Sequence, residues 1–132
     1  MMAASKPAPG LRGAATLTVA ADDTAVAQKS GSVPVLATPR LVALMEEAAV
    51  NAVRAALAPG ETTVGTRIDV AHLAATPVGR TARAEATLEA VDGRSLRFSV
   101  IAWDGEEKIG EATHQRVVVD ESRFIQRLQR KM

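Results

Sequence analysis

Apolar and polar positions change period along this chain, and the changes mark its elements. Ala14 to Ala20 alternates well enough to be a first strand. Asp22 to Ala37 is turn-rich, with Lys29-Ser30-Gly31-Ser32 and Pro34, and reads as an irregular connection. From Thr38 the pattern becomes helical. Thr38 can cap the orphan backbone N–H groups, and Pro39 fits the first helical position, where its missing N–H costs nothing. Arg40, Glu47, Asn51 and Arg54 form one polar stripe, and no further glycine or proline interrupts the run before Pro59-Gly60. The expected helix is roughly 20 residues, or about 30 Å, long.

After Glu61 the period becomes two. Thr66 to Ala74 places Ile68, Val70, His72 and Ala74 on one strand face, with Arg67 and Asp69 on the other. Ala75-Thr76-Pro77-Val78-Gly79 reads as a turn. Thr81 to Val91 and Arg94 to Trp103 alternate strongly around Asp92-Gly93, a hairpin signal, and Asp104-Gly105 is a second one. A last strand runs from about Lys108 to Val119, followed by a short amphipathic tail helix. One long helix and a set of strands joined mainly by tight turns give an α+β domain, an antiparallel sheet with the helix packed on one face. Residues 1–12 read as a flexible lead-in and 13–132 as a single domain.

Composition narrows the function. Hydrophobic residues make up 47% of the chain, enough for a globular core. Phe98, Trp103 and Phe124 are its only aromatic residues and the net charge is +1, so neither stacking platforms nor a basic footprint for nucleic acid exists. With no cysteine, disulfides, thiolate metal sites and a cysteine nucleophile are excluded. No apolar run approaches a membrane span and no signal peptide is visible, so the expected location is cytoplasmic, away from membranes.

Chemistry concentrates on a few side chains. Glu46 lies about 100° round the helix from Glu47 and is displaced from the polar stripe, with Val42, Ala43, Ala49 and Val50 as neighbours. It is either an edge residue or a functional carboxylate. His72 shares the apolar face of a strand that the helix should cover, so it is either a structural histidine or the partner of that carboxylate in acid–base chemistry. Thr38 adds a hydroxyl at the positive end of the helix dipole. Gly65 permits close backbone approach to a ligand, and Arg116 reads on pattern alone as a solvated charge. No phosphate-binding glycine loop, GxSxG or HExxH occurs, and a metal site is not expected.

Three segments then carry a resemblance. They are Thr38 through Leu44-Met45-Glu46, Gly65 through His72-Leu73-Ala74-Ala75-Thr76-Pro77-Val78-Gly79, and Asp104-Gly105 with Ile109-Gly110-Glu111-Ala112-Thr113-His114-Gln115-Arg116. Over roughly residues 14–130 the chain resembles the fluoroacetyl-CoA thioesterase-like branch of the hotdog superfamily. The resemblance implies a hotdog fold and hydrolysis of an acyl-CoA, with CoA as part of the substrate and no separate cofactor. It implies Thr38, Glu46 and His72 as the catalytic residues and Gly65 and Arg116 as substrate contacts. It also implies a homodimer with sites at the subunit interface. The alternatives are a non-catalytic acyl-CoA-binding or sensing protein and a hotdog hydratase or dehydratase. The fluoroacetyl-specific enzyme closes its acyl pocket with phenylalanines before the helix, whereas Gln28 to Ala37 holds no aromatic residue. A different or broader acyl group is expected.

Overall fold

The computed structural model describes residues 6–132. Its strands are β1 (Arg12–Thr18), β2 (Glu61–His72), β3 (Thr81–Asp92), β4 (Ser95–Asp104) and β5 (Glu107–Asp120). The helices are α1 (Thr38–Val53) and α2 (Glu121–Leu128). All strands form one antiparallel sheet in the order β1-β3-β4-β5-β2, curled around α1. This is the hotdog arrangement that the resemblance implies.

Alternation builds the layer between helix and sheet. Ala82, Ala84, Ala86 and Leu88 of β3 and Leu96, Phe98, Val100 and Ala102 of β4 point inward and are buried. They meet Leu41, Leu44, Met45, Ala48, Ala49, Ala52 and Val53 of α1, all buried. Alanines on both sides let the backbones come close. At Gly13 of β1 the approach is so close that a Cβ would stand 2.2 Å from the Ala52 nitrogen and 2.6 Å from the Ala48 oxygen.

Several expectations need adjusting. α1 spans 16 residues, and a 3-10 turn over Arg54–Ala56 completes the run, because the chain must become extended before Pro59. Thr38 is the first helical residue and not the cap; Ala37 holds that position and no side chain caps the end. The turn after His72 joins two strands that are not neighbours, since β2 lies at the sheet edge beside β5 while β3 lies between β1 and β4. Gly10 and Leu11 already exchange backbone hydrogen bonds with Leu88, so the part of the expected lead-in next to β1 is docked on β3. Residues 1–5 of that lead-in lie outside the described residues.

The two tight turns are as expected, with Gly93 and Gly105 each at φ 60°. α2 is capped by Asp120, whose side chain accepts from the Arg123 N–H, and it buries no residue. No helix among the described residues is long and apolar enough to cross a membrane.

Candidate active site

Thr38 and His72 meet where the start of α1 reaches the end of β2. Thr38 Oγ1 lies 2.7 Å from His72 Nδ1, so the hydroxyl that was free to cap the helix is committed to the imidazole instead. The other ring nitrogen, Nε2, is buried and has no hydrogen-bond partner among the described residues. Burial pushes the His72 pKa below its ordinary value, opposed by the backbone at Ala74, so the ring is held neutral. An unpaired buried nitrogen is costly and marks a place for a group that the single chain does not supply. Beside the pair runs an open cleft of about 320 Å³, walled by Ala25, Val35, Leu36, Leu73 and Ala74 with Ser30 as its polar element. No aromatic residue lines it.

Glu46 belongs to a second cluster. Its Oε2 accepts from Arg116 Nη1 at 3.1 Å, and its side chain remains 40% exposed. Arg116 is buried and its donors are taken up inside the protein. Nε donates to Thr63 Oγ1 at 2.9 Å, Nη2 to the Thr63 carbonyl at 3.1 Å, and Nη1 also lies 3.2 Å from His114 Nε2. His114 Nδ1 in turn donates to the Arg67 carbonyl at 2.8 Å. Thus Arg116 is not a solvated charge: it is a buried cation paired with a carboxylate and satisfied by neutral acceptors. Arg116 holds Glu46 through Oε2 and leaves Oε1 available.

Gly65 is needed for this cluster to exist. A Cβ there would stand 2.7 Å from Glu46 Oε2, 3.2 Å from Arg116 Nη1 and 3.4 Å from His114 Cε1. The register of β2 against β5 breaks between Gly65 and Arg67, a bulge beside the same point.

The two clusters are separate within one chain. Glu46 follows Thr38 by eight positions on α1, which is about 12 Å along the axis. No single reacting atom can be within hydrogen-bond reach of both. The structure therefore pairs Thr38 with His72 and joins Glu46, Gly65 and Arg116, but does not unite the two sets. Asp69, the carboxylate nearest His72 in sequence, is exposed on the opposite strand face, which leaves no local Asp/His pair of the hydratase kind. Thr63 and His114 were not singled out by sequence, although His114 and Arg116 share the parity of buried Ala112 and Val118 on β5. Among the described residues no cluster of His, Asp and Glu could hold a metal ion.

The family described as fluoroacetyl-CoA-specific thioesterase matches residues 19–122. A fluoroacetyl-CoA thioesterase of Streptantibioticus cattleyicolor is 44% identical over 97 residues, covering 74% of this chain and 70% of that protein. A crystal structure of the fluoroacetyl-CoA thioesterase superposes with a TM-score of 0.90 at 35% identity, covering 97% of this chain and 99% of the other. A mutant of the same enzyme bound to fluoroacetate and CoA gives a TM-score of 0.82 at 38% identity, over 89% and 99% of the two chains.

Proposed function

The chain belongs to the fluoroacetyl-CoA-specific thioesterase family, and from that premise we propose that it hydrolyses an acyl-CoA thioester to the free acid and CoA. The proposed site joins Thr38 and His72 of one protomer to Glu46 of a second. The observation that carries this is the incompleteness of each half: His72 has a nitrogen with no partner, and Glu46 has an oxygen free about 12 Å along the helix.

β2 suggests how the halves meet. It is a sheet edge of 12 residues, with no strand among the described residues on its outer side. Apolar residues near it, Val42, Ala43, Val50, Ile68 and Val70, are left half-buried or exposed. Pairing two β2 edges antiparallel about the step between Ile68 and Asp69 would set Gly65 of one copy opposite His72 of the other, with Glu46 over that Gly65. A homodimer formed this way covers the apolar strip and completes two sites.

The geometry supports the following roles. Glu46, anchored through Oε2, uses Oε1 to attack the thioester carbonyl or to activate a water. His72, neutral near pH 7, takes up a proton or delivers one to the leaving CoA thiolate. Thr38 can donate to an unprotonated Nδ1 and accept from a protonated one, so the pair survives both states of the ring. The cleft walled by Ala25, Val35, Leu36 and Ala74 would take the acyl group. Lacking an aromatic wall, it suits small and branched acyl chains and has no aromatic side chain to close over fluoroacetyl. An acyl-CoA substrate also fits a cytoplasmic location.

Thiol release from a panel of short, branched and aromatic acyl-CoAs tests the activity. Glu46→Ala and His72→Ala should each lower kcat/KM by at least about 100-fold, the lower range for loss of an acid–base group. Mixing the two variants then tests the shared site. A heterodimer of Glu46→Ala with His72→Ala retains one intact site only if those residues come from different chains. Mixed protein as inactive as either parent, despite subunit exchange, would show that each chain supplies its own triad. Wild-type protein that binds acyl-CoA without releasing thiol would favour a sensor.

A further inference from the structure

We propose that His114 is a positioning residue for this reaction: as a neutral imidazole it accepts a hydrogen bond from Arg116 and thereby aims Arg116 at Glu46. The inference rests on the thioesterase reading, and it adds a residue to which neither the chain pattern nor the family resemblance assigned a role.

Begin with the ring. His114 is 1% exposed and packs against Phe98, their centroids 6.0 Å apart. A carbonyl only accepts, so the 2.8 Å contact with the Arg67 carbonyl requires a proton on Nδ1. Arg116 only donates, so its 3.2 Å contact requires a lone pair on Nε2. Together the two contacts define the neutral Nδ1–H tautomer. Adding a second proton would set an N–H against an N–H of a guanidinium.

The ionisable groups acting on the ring are Arg116, beside it on β5, and Glu46, from α1. β2 contributes the Arg67 carbonyl and β4 the apolar Phe98. Burial first, and then Arg116, hold the pKa of His114 below its ordinary value, against the opposing effects of the Arg67 carbonyl and Glu46. The neutral acceptor therefore persists through the neutral pH range.

The guanidinium now has only one orientation. Thr63 holds Nε and Nη2, and Nη1 is shared between Glu46 and His114. Glu46 Oε2, Arg116 Nη1 and His114 Cε1 crowd over Gly65, where a methyl group would press on the ends of these side chains. Removing the acceptor leaves a buried Nη1–H unpaired and gives the guanidinium reason to tilt, carrying Glu46 with it. Misplacing a reacting group by about 1 Å can cost about 100-fold in rate.

The test compares two variants. His114→Phe preserves an aromatic ring against Phe98 but has neither acceptor nor donor. His114→Gln restores both, because an amide can donate to the Arg67 carbonyl and accept from Arg116. With an acyl-CoA that the wild type hydrolyses, His114→Phe should lower kcat about 10- to 100-fold with KM changed by less than about 3-fold. His114→Gln should recover most of that loss. Thermal melts of both variants separate lost positioning from lost folding.

A second readout needs no substrate. The chain has only two histidines, so two-bond ¹H–¹⁵N correlation spectra with a His72→Gln control assign both rings. Near pH 7 His114 should be the Nδ1–H tautomer. The role is overturned by an Nε2–H or imidazolium form there, by wild-type kcat in a folded His114→Phe protein, or by a His114→Gln protein no better than His114→Phe. Absence of thiol release from the wild type would instead overturn the thioesterase reading, and the positioning role with it.

Discussion

His72 and His114 stand on neighbouring antiparallel strands, and burial lowers the pKa of both, yet their ring nitrogens are used in opposite ways. Both nitrogens of His114 are bonded inside the chain, to Arg67 and Arg116. His72 spends one on Thr38 and leaves the other with no partner among the described residues. The same contrast separates the surroundings. Around His114 lies a closed network of Thr63, Arg116 and Glu46, and around His72 an open cleft. A satisfied imidazole holds other groups in place, and an unsatisfied one waits for a reactant. The two regions should therefore answer mutation differently: stability and rate together around His114, rate alone around His72.

Arg116→Met should show the largest contrast. It leaves Glu46 Oε2, the Thr63 carbonyl and His114 Nε2 without their donor, and breaking a buried ion pair costs about 3 kcal/mol. Because Glu46 is 40% exposed and can rehydrate, the stability loss should fall at or below that figure, while kcat falls about 100-fold. Thr38→Ala removes one hydrogen bond in the other region, worth about 1 kcal/mol or less. Its rate loss should far exceed its stability loss. Denaturant melts beside kinetics check both, and equal ratios of rate loss to stability loss in the two variants would erase the distinction.

How much of this was legible beforehand follows from what each feature depends on. Alternation in β3 and β4 identified the inward faces of both strands, since side-chain direction in a strand is local. Thr38, Glu46 and His72 stood out by patterning and by resemblance, and the structure places Thr38 against His72. The burial of Arg116 was not legible in the same way. Its neighbours Gln115 and Val117 suggest nothing unusual, and only the pairing of β5 with β2 brings it to Thr63 and Glu46. Yet the parity of Ala112, His114, Arg116 and Val118 already placed two cationic residue types on a buried face. A buried arginine on such a face needs a carboxylate, and only the structure shows that Glu46 supplies it. The gap between Glu46 and the Thr38–His72 pair is a direct consequence of helical rise over eight residues.

Two glycines give the next contrast, with a smaller effect on rate. Gly65→Ala forces a methyl group against Glu46 Oε2 and Arg116 Nη1, which are ends of side chains and can move. Rate should drop about 10-fold or more as Glu46 shifts, with a stability loss near 1 kcal/mol, the low end for overpacking. Gly13→Ala meets the backbone of α1 at 2.2 Å, which cannot yield without moving the helix. There the stability loss should be about 3 kcal/mol or more, and any remaining folded protein should keep its specific activity. If Gly65→Ala proved the more destabilising of the two, the space over Gly65 would belong to the core and not to the site.

The smallest effect is the dependence of stability on pH, and it can sharpen the comparison of the two histidines most directly. Unfolded, each ring protonates near its ordinary value of 6.5; folded, each resists protonation to a lower pH. Between those values the unfolded state binds more protons, so unfolding free energy falls as pH drops below about 6.5 and is level above it. The slope is at most about 1.4 kcal/mol per pH unit for each histidine, and it acts before most carboxylates titrate. His114→Gln and His72→Gln should each remove part of that slope. A bound non-hydrolysable acyl-CoA analogue should separate them. It supplies a partner to His72 Nε2 and moves that ring's titration, while His114, with both nitrogens already bonded, should titrate as before. NMR titration with and without the analogue reads this in one experiment. Equal movement of both rings would mean that the network around His114 opens on binding, and that the two regions respond to ligand as one.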